Sequence, residues 1–129
     1  MASWEQVKNF IRGNYKVQND EGDFFKMVFD LGNNRTQMVF VQKIQTKNNG
    51  IWIQVSSPVG IIKQEKINKA LEMLNDKPCG GLVKIGDKHF IRHCMPIDDM
   101  SLDEFSTPLN FITNSADELE HKFVGGDDQ

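Results

Sequence analysis

The sequence predicts an α+β fold, in which helices pack on an antiparallel sheet of about five strands in the order α-βββ-α-ββ-α. Short stretches alternate between apolar and polar residues and are separated by turns rich in Asn and Gly, as in a β-meander. Three other stretches place apolar residues three and four positions apart, as amphipathic helices do. The 129 residues, 39% of them hydrophobic, suit one core. We therefore expect a single domain over residues 1–124 and a disordered tail over 125–129.

Three segments have helical spacing. Ser3 and Gln6 form a capping-box pattern, which predicts a first helix over residues 4–14. Residues 63–76 give the clearest helical pattern. A last helical stretch begins near 101 or 103, but Pro108 interrupts it. Either 101–106 is a separate short turn or the helix begins near 107.

Five segments have the alternation of strands. The first three are joined by the turns GNNR and KNNG, and the last two by Gly86-Asp87. Pro58 is expected to end the third strand. The polar stretch QNDEGD that precedes the first strand is expected to be a loop. The predicted strands cover residues 24–31, 36–46, 51–58, 82–85 and 88–95.

The stretch HFIRHC, residues 89–94, raises the question of a metal or catalytic site. If it forms a strand, the Cα atoms of His89 and His93 are roughly 13 Å apart, too far to share one zinc ion. Cys94 then points to the opposite face from both histidines. We expect an ordinary strand with half-exposed histidines and a buried cysteine. The alternative is a small metal-binding protein or enzyme that uses Cys79, His89 and a carboxylate.

Composition and motifs argue against several function classes. The net charge is −3 and no run of Lys or Arg reaches three, which disfavours nucleic-acid binding. No segment approaches the roughly 18 apolar residues that span a bilayer, and the N-terminal segment lacks the apolar core of a signal peptide. Nucleotide-binding loops and nucleophile elbows are absent from the sequence. We expect a cytoplasmic protein with no catalytic residues, metal or cofactor.

Candidate binding residues lie on the predicted strands. Trp52 and Gln54 share the more polar face of one strand, and Met38 and Phe40 share a face of the preceding one. Aromatic and Met side chains are typical of interface anchors, although they also fill cores. Trp4 on the first helix is open to the same two interpretations. Because helices can cover either face of the sheet, the sequence does not determine which face is open.

The element order resembles the type III secretion chaperone-like fold, and within it the YbjN family of bacterial regulators. The resemblance extends over roughly residues 3–123 and consists of patterns, not of invariant catalytic residues. Small cyanobacterial proteins of unknown function share these patterns. The segments that carry it are FFKMVFDL, the helix KINKALEMLN after SSPVGIIKQE, and the exit RHCMPIDDMSLDEFSTPLNFITNSADEL.

The resemblance implies an α+β domain, usually dimeric, that binds protein and has no catalytic residues. Secretion chaperones of this fold hold an extended client segment against hydrophobic patches. This chain is less acidic than many of them, so the fold carries over better than the chaperone role. We therefore predict a non-catalytic protein-binding module that acts as a homodimer without binding nucleic acid or membrane. A nucleic-acid-binding regulator is a further alternative.

Overall fold

The computed structural model describes residues 2–98 and 100–124, which form three α-helices and a six-stranded sheet. The predicted tail at 125–129 lies outside this part of the chain. The helices are α1 (Trp4–Asn14), α2 (Ile67–Leu74, after a 3₁₀ turn at Gln64–Lys66) and α3 (Leu102–Leu119, followed by a π-helical turn at Glu120–Val124). The strands are β1 (Lys16–Asp20), β2 (Phe24–Gly32), β3 (Arg35–Gln45), β4 (Ile51–Gly60), β5 (Gly81–Ile85) and β6 (Lys88–Pro96).

The α+β class is confirmed, but the prediction of about five strands is wrong by one. All neighbouring strands are antiparallel, in the order β1-β2-β3-β4-β6-β5. The additional strand is β1, which includes the first residues of the predicted loop QNDEGD. Four of its five residues are exposed, so it lacks the apolar alternation that identifies a strand. Backbone pairing with β2 holds it at the edge of the sheet.

Pro58 does not end its strand, contrary to the prediction. It lies inside β4 opposite Phe90, and the register with β6 shifts between Pro58 and Gly60. Such an irregularity is where a residue without a backbone N–H is tolerated in a sheet. The Gln37 side chain also donates a hydrogen bond of 2.8 Å to the Pro58 carbonyl.

The helix predictions are confirmed at the first helix and corrected at the other two. The α1 helix has the Ser3–Gln6 capping box. The second helix, Ile67–Leu74, is shorter than the predicted range 63–76. A 3₁₀ turn replaces its predicted start, and it ends two residues earlier. The third helix runs without a break through Pro108, so both of the arrangements expected around that residue are wrong. A capping box between Ser101 and Glu104 fixes its start, and its buried apolar face holds it against the sheet.

The helices cover one face of the sheet. Most of the apolar strand residues with side chains on that face are buried and share one hydrophobic cluster with the helices. From the strands this cluster includes Phe25, Met27, Val39, Val41, Ile53, Val55, Ile91 and Met95, and from the helices Val7, Ile11, Ala70, Phe105, Leu109 and Ile112. None of the helices in the described residues has both the length and the apolar character required to cross a membrane.

Candidate functional site

The face of the sheet opposite the helices carries a group of apolar side chains outside the core cluster. We call this side the open face. Its side chains alternate with the buried ones and therefore come from every second position of each strand. It comprises Lys16 and Asn19 of β1; Phe24, Lys26, Val28 and Asp30 of β2; Thr36, Met38, Phe40, Gln42 and Ile44 of β3; Trp52, Gln54, Ser56 and Pro58 of β4; Val83 and Ile85 of β5; and Lys88, Phe90, Arg92, Cys94 and Pro96 of β6.

Aromatic rings surround a shallow concavity on the open face. Phe24 and Phe40, on neighbouring strands, stack with ring centroids 5.6 Å apart and an angle of 24° between the rings. Ser56 is only 8% exposed, whereas Ile85 is 55% exposed. The concavity is therefore lined by both apolar and polar side chains. Its volume is about 270 Å³, and it is lined by Phe24, Phe40, Gln42, Gln54, Ser56, Ile85 and Phe90.

The four residues proposed from the sequence as partner-binding all lie on the open face. Phe40 and Gln54 line the concavity. Met38 lies two positions before Phe40 on β3 and is 36% exposed. Trp52 is half-buried, and its indole N–H donates a hydrogen bond of 3.0 Å to the Asn49 carbonyl. The sequence thus predicted four residues that lie on one surface, but not which other residues belong to it.

Trp4 belongs to the core and not to the open face. Its side chain is buried, and its ring meets Phe25 edge-on with centroids 6.1 Å apart. Its indole N–H donates to the Gly22 carbonyl at 3.0 Å. The core interpretation of this tryptophan is therefore confirmed.

The sequence-based prediction of binding residues did not include three other members of the open face, Phe24, Phe90 and Ile85. The alternation of FFKMVFDL placed Phe24 with Lys26 on one face, but it did not show that this face is uncovered. Phe90 would have followed from the alternation of residues 88–95 once the open face was known. The missing information in each case was the position of the helices.

The open face is basic, although the chain as a whole is acidic. It carries four cationic side chains, Lys16, Lys26, Lys88 and Arg92, and one acidic side chain, Asp30. Among the described residues, no ion pair or hydrogen bond uses any of the four cationic groups. The chain carries a net charge of −3. The open face thus presents unpaired positive charge beside aromatic rings.

The histidines of HFIRHC point toward the helices, contrary to the expected arrangement. His89 is only 6% exposed, and its Nδ1 accepts a hydrogen bond of 3.1 Å from the backbone N–H of Ile62. His93 is half-buried, and burial lowers its pKa. Cys94 is exposed on the open face, with its Sγ 3.9 Å from Gln54 Oε1. The prediction of half-exposed histidines and a buried cysteine is therefore wrong for His89 and Cys94, because the helices cover the face that carries the histidines.

Cys79 lies between α2 and β5 and is half-buried. Burial raises the pKa of its thiol, which disfavours the thiolate form that attacks substrates and binds metals. Within residues 2–98 and 100–124, no group of three or more His, Cys, Asp or Glu side chains is placed to hold a metal ion. In the same part of the chain, His89 Nδ1 accepts its hydrogen bond from Ile62, so His89 is not paired with Cys79.

Comparison with known proteins does not identify the chain. The sequence matches no protein-family model and no curated protein. The resemblance to the YbjN family therefore rests on the sequence patterns and stays a prediction.

Proposed function

We propose that the chain is a cytoplasmic, non-catalytic protein-binding module, chaperone-like or regulatory, with a fold of the type III secretion chaperone-like kind. The open face is its contact surface. One observation carries this proposal: the four residues selected from the sequence for interface character lie together on the face of the sheet opposite the helices.

The composition of the open face supports a binding role. A contiguous group of apolar side chains in water is unfavourable, and its burial against a partner contributes about 25 cal/mol per Å² of apolar area. Interface anchors are enriched in aromatic residues, and the open face has four of them, Phe24, Phe40, Trp52 and Phe90. The glutamines beside these rings add hydrogen-bonding groups that can orient a partner.

We propose that the module is a homodimer and that its copies meet through α2. Strand β4, the third of the predicted strands, is not available as a dimer element. It is paired on both sides, with β3 and with β6, and so it cannot extend the sheet into a second copy. Leu71 of α2 is 47% exposed, which gives this helix an apolar position available for contact.

The proposed contact surface is tested by Trp52→Ala. The chain is tagged and used to capture proteins from its native lysate, and retention is quantified by mass spectrometry. Loss of an aromatic anchor is expected to weaken partner binding by about 2 kcal/mol, which is roughly 30-fold in Kd. Circular dichroism is expected to be unchanged, since Trp52 lies outside the core cluster.

Phe111→Ala is the matched control. Phe111 is an aromatic residue on α3 that is 40% exposed and lies away from the open face. Its replacement is expected to leave capture unchanged. Equal retention by the wild type and Trp52→Ala would remove Trp52 from the contact surface.

A further inference from the structure

We propose that the open face binds an extended peptide segment with the pattern acidic-x-apolar-x-acidic. This inference rests on the proposed protein-binding function and specifies the chemistry of the partner. It follows from the strand register, which places one cation on each side of the aromatic concavity, Lys26 and Arg92.

The two cations that define the pattern lie in one row across the sheet. The register pairs Lys26 with Phe40, Phe40 with Ser56, and Ser56 with Arg92. Since neighbouring strands are about 4.8 Å apart, Lys26 and Arg92 are separated by roughly 14 Å between Cα atoms. Phe40 and Ser56 of the concavity lie between them.

An extended segment that crosses the strands matches this row. Residues i, i+2 and i+4 of such a segment point to the same side, and their rise places i and i+4 roughly 13 Å apart. Carboxylates at i and i+4 then reach Lys26 and Arg92, while the apolar side chain at i+2 enters the concavity. Both cations lack an ion-pair partner among the described residues, so the segment supplies one for each.

The polar groups of the concavity favour an extended segment over a helix. Gln42 and Gln54 lie side by side in the row next to Phe40 and Ser56. Their amide groups are suited to the free backbone N–H and C=O groups of an extended segment, which a helix does not offer. The concavity of about 270 Å³ also suits one apolar side chain better than the continuous apolar stripe of a helix.

A second copy of the chain does not fit the open face. Two open faces in contact would bring the four cations of each copy toward the four of the other, whereas Asp30 is the one acidic side chain among the described strand residues of that face. Like charges brought together at an interface are unfavourable. An acidic partner removes this repulsion.

Nucleic acid is disfavoured by the aromatic geometry. Phe24 and Phe40 stack on each other, so each has one ring face already in contact instead of free to receive a base. The net charge of −3 also opposes a polyanion, whose binding depends on many phosphate contacts. A peptide with two carboxylates needs only two cationic side chains as partners.

A displayed library of random twelve-residue peptides, selected on the purified chain, tests the proposal. We expect the enriched peptides to carry two acidic residues four positions apart with an apolar residue midway. The double variant Lys26→Glu and Arg92→Glu is expected to enrich the reversed pattern, with basic residues at the two outer positions. The control Lys69→Glu and Lys84→Glu makes the same charge change, at exposed positions off the open face, and is expected to enrich the acidic pattern of the wild type.

The failure of this inference and the failure of the proposed function give different results. In one outcome, the wild type and Lys26→Glu/Arg92→Glu enrich the same peptides, and Phe40→Ser no longer binds them. This outcome would overturn the acidic pattern but keep the open face as a peptide site. Peptides that bind Phe40→Ser as well as the wild type, or no enriched peptide at all, would overturn both. Tight binding of a fluorescent twelve-nucleotide single-stranded RNA that falls steeply with salt would also overturn the peptide assignment.

Discussion

At the scale of single residues, the Arg35–Asp117 ion pair joins β3 to α3. The Asp117 side chain is 10% exposed and that of Arg35 is 36% exposed. We expect Asp117→Asn to lower the free energy of unfolding by about 1–2 kcal/mol, because a partly buried guanidinium loses its charged partner. The neighbouring Glu118 pairs with Lys77 at the surface, and Glu118→Gln is expected to cost at most about 0.5 kcal/mol. Urea unfolding of the two variants measures the difference, and equal losses would contradict it.

His93 gives the stability a dependence on pH. Burial lowers its pKa in the folded chain, so the unfolded chain binds more protons once the pH falls below the ordinary value of about 6.5. The folded state is therefore expected to lose stability progressively as the pH falls from about 6.5 through the lowered pKa, and to keep it at higher pH. Urea unfolding between pH 7.5 and 5 measures this slope. His93→Gln is expected to reduce it, and an unchanged slope would assign the effect to other groups.

Residue alternation shows which side chains share a face, but not which face the helices cover. The alternation correctly separated His89 and His93 from Cys94. The assignment of the buried side was nevertheless reversed for His89 and Cys94, since burial depends on the position of α3 and not on the strand sequence. Trp52, Gln54, Met38 and Phe40 were chosen by residue type, and that Phe24 and Phe90 share their surface follows only once the uncovered face is known.

At the scale of elements, Pro108 is a defect that α3 tolerates. It lies in the interior of the helix and has no N–H to donate to the carbonyl four residues before it. We expect Pro108→Ala to raise the free energy of unfolding by about 1–2 kcal/mol, since the gain in helix propensity exceeds the loss of proline's restriction on the unfolded chain. Thermal unfolding checks this expectation. A destabilised variant would mean that the helix depends on the shape that the proline imposes.

The elements that the sequence predicted well carry local signals of their own. The capping box at Ser3 defined the start of α1, and the turn GNNR became a hairpin in which Asn33 and Asn34 both have positive φ. In contrast, β1 has no such signal, because an exposed edge strand forms through backbone pairing with β2. The path of β4 through Pro58 also depends on tertiary structure, since a shift in register and the Gln37 side chain accommodate the proline.

At the scale of the whole molecule, the two sides of the sheet differ in both covering and charge. One side packs against the helices, and the other presents aromatic rings beside cations that form no ion pair among the described residues, in a chain that is acidic overall. The α+β class followed from the sequence because strand and helix periods are local properties. The open face could not be predicted from the sequence, because its position depends on which side of the sheet the helices pack against.

The most direct test of the open face as the contact surface uses the two native cysteines. Cys94 is exposed on the open face, whereas Cys79 is half-buried between α2 and β5 and gives an internal reference. The tagged chain is captured with its partner from native lysate, and the rate of alkylation by iodoacetamide is measured for each cysteine before and after the partner is stripped with salt. We expect Cys94 to react at least several-fold more slowly in the complex, with Cys79 unchanged. Equal Cys94 rates in the two samples would contradict the assignment of the open face.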